Sequence, residues 1–311
     1  MNRPLLGLAL GSGGARGLAH CGVLQAIHEA GLPVDAIAGT SMGAIVGALY
    51  ARDPDPAATW QHLVAYVEDR EFADHWATFL PRRTAEDREG ARRWDGLFDF
   101  MHRGRIAVKA VALRAAESRA RLYDPLARLF AGTGSFAELK VPFAAVALDL
   151  TTGRMVAQRE GSLLEGLYAS CAIPGVFPPV VRGAMVIVDG GGPFRVPVEA
   201  VRDLGADFVV AVDIPAYHEH ELRTGFDLGM RSNAVALDRL NDFVCAQADL
   251  LIRPGLELYH WADFRSGEAI RDIGYEAARA ALPELERLWA LRQSPVAQAI
   301  RRVGSLFGGG I

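Results

Sequence analysis

Apolar and β-branched positions gather along the chain into short runs at 5–10, 35–38, 143–150, 185–189, 208–214 and 250–253. Runs of this length and composition suit buried strands. Helical stretches separate most of them, and that alternation is the signature of a mostly parallel sheet covered by helices on both faces. The TTG at 151–153, followed by Arg154, Met155 and Val156, predicts a hairpin return, so the sheet is expected to be mixed. Residues 56–131 have no convincing strand pattern. There Trp60, Leu63, Val64 and Val67 fall at i, i+3, i+4 and i+7, and Trp94, Leu97, Phe98 and Met101 repeat the spacing, which predicts a helical insertion between two strands. The expected organisation is one α/β domain over 1–295, insertion included, and a glycine-ended tail over 296–311.

Composition narrows the function classes. Of 311 residues 50% are hydrophobic, enough to bury a large core, and the formal charge of −4 lacks the basic footprint that a nucleic-acid binder needs. No nucleic-acid partner is expected. Cys21, Cys171 and Cys245 have no CxxC spacing, so neither a disulfide framework nor a zinc site is predicted, and a reducing, cytoplasmic setting fits best. The early apolar stretch LLGLAL is too short for a secretory signal or a span. Charge is uneven, however: residues 82–121 hold 11 Arg/Lys against 6 Asp/Glu. Beside the Trp94 stripe, this excess predicts a region that meets an anionic, lipid-like surface on the inner face of a membrane, near the mouth of the site. The competing expectation is a helical hairpin packed on the core with its arginines in water.

Three short stretches could carry chemistry. GTSMG, residues 39–43, boxes Ser41 between Gly39 and Gly43 where a strand run gives way to a helix-like one. A serine hydroxyl needs a nearby base and an exposed oxygen to act as a nucleophile, and a sharp strand–Ser–helix corner supplies the exposure. Gly39 and Gly43 suit the close backbone approach of such a corner, with Thr40 and Met42 completing it. A five-residue pattern also arises by chance, so context must carry it. The second stretch, GSGGARG, comprises Gly11, Ser12, Gly13, Gly14, Ala15, Arg16 and Gly17 between a strand run and an apolar helix. Converging backbone amides there can hold an anion, either a phosphate or the oxyanion of acyl transfer. A dinucleotide loop is disfavoured because position 16 is arginine, and a P-loop fails for want of GK[ST]. Third, VIVDGGG ends a strand run in Asp189, followed by Gly190 and Gly191. Taken alone this reads as an ordinary Asp-Gly turn sooner than as a carboxylate facing a cleft.

In this order the three pieces resemble the patatin-like phospholipase family, whose members carry a glycine-rich oxyanion loop, a G-x-S-x-G serine and a later D-G-[AG]. ASCAIPGVFPP at 169–179, DLTTGRMV at 149–156 and the region from Asp249 through Gly274 to Ala278 resemble its bacterial branch. The resemblance implies a three-layer α/β/α sandwich with a mixed, mostly parallel central sheet. It implies a lipid acyl hydrolase acting on phospholipid or other acyl esters without metal or organic cofactor. Carried over, it makes Ser41 the nucleophile, Asp189 its general base in a dyad, and the 11–17 loop the oxyanion hole, with Arg16 at the family's basic position. Ser12 departs from the usual glycine, and GPFRVPV follows DGG in place of an asparagine-containing run. Two rivals remain: an α/β-hydrolase with a Ser–Asp–His triad drawing on His218 or His220, and a catalytically silent lipid-binding protein on the same scaffold. His20 and His28 read as packing or surface histidines.

Overall fold

In the computed structural model, which describes residues 3–80, 118–215 and 225–294, the strand runs read from the sequence join one eight-stranded sheet. The strands are β1 (Leu6–Leu10), β2 (Ala36–Thr40), β3 (Phe143–Asp149), β4 (Arg154–Gln158), β5 (Val180–Arg182), β6 (Met185–Asp189), β7 (Phe208–Val212) and β8 (Leu250–Ile252). Strands β3, β2, β1, β7 and β8 run parallel in that order, while β4 and β6 pair antiparallel with β3. The sheet is therefore mixed, and the TTG hairpin return is present as the β3–β4 pair. Only β5 was not foreseen. It is a three-residue strand that returns onto β6 through Gly183, too short to leave a periodic pattern.

Alternation along the central strands sorts side chains between two layers. Leu8, Leu10 and Ile37 face one side, where they pack with Val23, Leu24 and Ile27 of α1 (Ala19–Glu29), Ile45 and Val46 of α2 (Met42–Arg52), Leu63 of α3 (Pro56–Val67) and Leu285. Ala9, Ala36, Ala38, Ala144 and Ala211 face the other, where the small side chains let Val198 and Val201 approach closely. Helices cover both faces. After α3 come α4 (Arg70–Ala77), α5 (Ala120–Leu129), α6 (Leu163–Cys171), α7 (Val198–Asp203), α8 (Gly225–Cys245) and α9 (Gly267–Gln293). The described part of the 56–131 insertion is helical, with Asp55 capping α3 through bonds of 2.8 and 3.2 Å from the Ala57 and Ala58 amides. Residues 81–117, with the Trp94 stripe, lie outside the described residues, as do His218 and His220. No described helix is long and apolar enough to cross a membrane.

The register places the site. Leu10 lies opposite Gly39 and Val212, so the chain leaves β1, β2 and β7 at one edge of the sheet, where open α/β sheets bind ligands. Strand β4 occupies one edge of β3 along residues 145–149. On the other edge, β2 takes the first part, ending with Thr40 opposite Val146. Antiparallel β6 takes the rest, ending with Asp189 opposite Ala147. The two strands thus run head-on into a single junction.

Candidate active site

Ser41 occupies the corner between β2 and α2 at φ 56° and ψ −122°, the only non-glycine residue of positive φ among those described. Such a conformation costs on the order of 1–3 kcal/mol and persists where its surroundings enforce it. Here they do. A Cβ on Gly39 would lie 2.3 Å from the Gly43 carbonyl oxygen, and one on Gly43 would lie 2.3 Å from the Leu10 oxygen and 2.6 Å from that of Gly11. The flanking glycines let β2, α2 and the end of β1 meet at van der Waals distance, with the serine driven outward between them. Thr40 ties the corner down by donating its hydroxyl to the Phe194 carbonyl at 2.9 Å.

Asp189 ends β6 with its carboxyl buried, and the Ser41 side chain stands close enough to favour its charged form. Its Oδ1 also accepts the Gly191 amide at 2.7 Å. Burial pushes the carboxyl up to about 6, against the opposing pull of the serine hydroxyl and the Gly191 amide, which favour the charged form. A base of that strength is better matched to neutral pH than an ordinary aspartate. Gly191 is confined: a Cβ there would stand 2.8 Å from the Ser12 oxygen and 2.9 Å from Asp189 Oδ1. The Asp189 amide donates to the Ala172 carbonyl at 2.9 Å, just beyond α6.

The 11–17 loop crosses the same junction. Its Gly11, Ser12 and Ala15 amides donate to the carbonyls of Val212, Arg195 and Trp261 at 2.9, 2.9 and 2.7 Å. Among the described residues no backbone acceptor takes the amides of Gly13 and Gly14. Gly14 sits at φ +56° with its Cβ position 2.3 Å from the Trp261 oxygen, and the Cβ position of Gly17 lies 2.6 Å from the Met42 side chain. Arg16 is buried, and its guanidinium donates to the Pro215 carbonyl, binding the loop to the chain that leaves β7. Ser12 requires no positive φ, which explains why a residue with a Cβ is accepted there.

GPFRVPV, the departure after Asp189, proves to be a working part of the junction. Phe194 accepts the Thr40 hydroxyl, and Arg195 accepts the Ser12 amide. The Arg195 guanidinium pairs with Asp213 at 3.3 Å and Asp238 at 2.8 Å, fixing the segment against β7 and α8.

Three residues gain roles that their sequence positions did not announce. His20 is fully buried with Nε2 2.7 Å from the Gly11 carbonyl, so the ring donates there, and burial lowers its pKa to about 4. It is a neutral clamp on the glycine loop; its packing role was expected, this bond was not. Ser170 accepts the Ser41 amide at 2.9 Å. Burial pushes the Cys171 thiol well above the usual thiol range, against the smaller opposing pull of the neighbouring Ser41 side chain. His260 lies against Trp261, its Nδ1 accepting the Ala262 amide at 3.2 Å. No group of three His, Cys, Asp or Glu residues among those described could hold a metal ion.

A strand–serine–helix corner meeting a strand-terminal aspartate under a glycine loop, on a mixed α/β sheet, defines a class of protein rather than one member. The family model for patatin-like phospholipase matches residues 8–202, and the chain belongs to that family. It is 29% identical over 312 residues to a patatin-like phospholipase domain-containing protein of Caenorhabditis elegans, covering 90% of this chain and 21% of that protein. It is 35% identical over 211 residues to an uncharacterized NTE family protein of Mycobacterium bovis, covering 68% and 49%. Thus the chain spans about a fifth of the nematode relative and about half of the mycobacterial one. The solved structure of VipD from Legionella pneumophila aligns with a TM-score of 0.46 at 13% identity, covering 91% of this chain and 67% of that one.

Proposed function

We propose that the chain is a serine-dependent lipid acyl hydrolase of phospholipase, lysophospholipase or esterase type, working through a Ser41–Asp189 dyad. The observation that carries this reading is the meeting of a strained, outward-driven serine with a buried carboxyl whose affinity for protons is raised toward neutrality. Ser41 Oγ attacks the ester carbonyl carbon while its proton passes to Asp189. The resulting oxyanion is held by the Gly13 and Gly14 amides, which have no backbone acceptor of their own among the described residues. Collapse of the tetrahedral intermediate expels the alcohol, which takes the proton from Asp189. Water then attacks the acyl–serine ester and gives its proton to Asp189, and the second collapse returns that proton to Ser41 as the fatty acid leaves.

Family membership and the acyl-ester chemistry of the site together favour a phospholipid or related lipid as substrate. Residues 82–121 supply the peripheral membrane contact in this reading, on the strength of their cationic excess. A cytoplasmic setting agrees with the three free, buried cysteines. The test is fluorophosphonate labelling combined with a lipid and ester panel. Labelling at Ser41 with ester turnover, both lost in Ser41→Ala, is the expected result. Folded protein that neither labels nor turns over would instead indicate a silent lipid-binding protein. Vesicle co-sedimentation checks the membrane contact: binding to anionic vesicles should weaken on charge reversal at Arg82, Arg83, Arg92 and Arg93.

A further inference from the structure

The nucleophile is held from a third direction, by the last turn of α6. Ser170, with no exposed surface, accepts the Ser41 amide at 2.9 Å and donates its own hydroxyl to the Val146 carbonyl at 2.7 Å. A buried serine within a helix ordinarily returns its hydroxyl to a carbonyl one turn back in the same helix. This one reaches across to β3 instead. The oxygen it reaches belongs to the residue opposite Thr40, where the β2 ladder ends and the chain turns into the corner. The hydroxyl therefore spans the gap left as the chain departs from the sheet, satisfying one buried amide and one buried carbonyl with a single group. Its neighbours belong to the same junction. Cys171 neighbours the Ser41 side chain, and the Ala172 carbonyl accepts the Asp189 amide at 2.9 Å.

We propose that Ser170 is a positioning residue for the nucleophile: its hydroxyl bridges the Ser41 amide to β3 and so holds the positive-φ corner at the setting in which Ser41 Oγ faces Asp189. This rests on the proposed Ser41–Asp189 dyad. Loss of the bridge leaves both groups buried and unpaired, and the corner escapes that penalty by rotating, which moves Oγ relative to both its base and the loop amides. Displacement of about 1 Å at a reacting atom costs roughly 10²-fold in rate.

Active-site titration with a fluorophosphonate separates positioning from simple structural support, because labelling has an amplitude and a rate. In Ser170→Ala the amplitude should stay at one adduct per chain while the labelling rate falls about 10- to 100-fold. For a short p-nitrophenyl ester, kcat should fall by the same factor with KM within two-fold. Labelling at the wild-type rate, with full or reduced amplitude, overturns the proposal, since the hydroxyl then supports only the fold. Ser170→Cys, close in size but a weaker hydrogen-bonding group, should lie between wild type and Ser170→Ala. If the alanine variant does not fold, the cysteine variant decides: a slowed rate at full amplitude is expected, and an unchanged rate overturns the proposal. Ser41→Ala runs beside them. Persistent labelling in that variant would overturn the dyad itself, a failure distinct from full activity in Ser170→Ala.

Discussion

Thr40 and Asp189 end strands that run toward each other along one edge of β3, Thr40 opposite Val146 and Asp189 opposite Ala147. The residue after Thr40 is Ser41, so the proposed nucleophile and base are brought together by strand register rather than by a flexible loop. Sites built on such elements are held more closely than sites on loops. This also explains how two groups 148 positions apart in the sequence meet without a histidine to bridge them.

Packing at the corner makes the glycines testable. Gly39→Ala and Gly43→Ala each place a methyl group 2.3 Å from a backbone oxygen, which no side-chain rotation relieves. Each should lower stability by about 1–3 kcal/mol, the range for overpacking, and cut ester hydrolysis by roughly 10²-fold or more as the corner shifts. Gly229→Ala on α8 is the control. Nothing lies within 4 Å of its Cβ position, and alanine in a helix stabilises by up to about 1 kcal/mol relative to glycine. Urea unfolding and p-nitrophenyl ester rates on the three variants check the contrast.

The pH profile follows from the state of Asp189. The base must be ionised to accept the serine proton, and its carboxyl is raised to about 6. Thus kcat/KM should rise with pH and reach half its plateau near pH 6, well above the ordinary aspartate value of about 4. Asp189→Asn should lose about 10²- to 10⁴-fold in rate across the whole range. An acid limb at pH 4, or one that survives unchanged in the asparagine variant, would assign the base elsewhere. Replacing His260, and with it His218 and His220, should leave rates within a few fold.

Much of this arrangement could be read from the sequence, for a physical reason. The corner and the Asp189 turn need small residues at fixed spacing, so close backbone approach leaves a local trace in GTSMG and DGG. The strands β1, β3, β6 and β7 could be read because buried strands demand unbroken apolar runs. What escaped was whatever is made by contact between distant segments. His20 is the second residue of an apolar helix and looks like any packed histidine until Gly11 folds back onto it. Ser170 is 129 positions from the residue it holds, and nothing beside it in the chain marks its direction. The Phe194 and Arg195 backbone oxygens carry no sequence signal at all, since any residue would supply them. Strand β5 fell below the length at which period-two alternation can be recognised.

Cysteine chemistry offers an independent check on the packing. Cys21, Cys171 and Cys245 are free and buried, and burial raises Cys21 and Cys245 to about 12 and Cys171 well above its usual value. Thiolates are the reactive form, so the native protein should show no fast-reacting thiol toward Ellman's reagent at pH 8. In guanidinium all three should react. Rapid modification of one thiol in native protein would place a cysteine at the surface and contradict the packing around α1, α6 or α8.

His20 and Asp189 should affect stability in opposite directions across the same pH window. The folded chain raises Asp189 from 3.8 to about 6, so its favourable contribution is complete below 3.8 and is lost as pH rises through 6. The fold lowers His20 from 6.5 to about 4, so its contribution is complete above 6.5 and is lost as pH falls through 4. At 1.36 kcal/mol per pKa unit each is worth about 3 kcal/mol, and between pH 6.5 and 4 they offset one another. Removing either group should uncover the other. Relative to wild type, His20→Gln should gain stability on going from pH 7.5 to pH 5, whereas Asp189→Asn should gain at pH 7.5 and surrender about half of that gain by pH 5. Comparing each variant with wild type at both pH values cancels the remaining titrating groups. Thermal melts that shift in the same direction for both variants would show that the burial of one of the two groups has been misjudged.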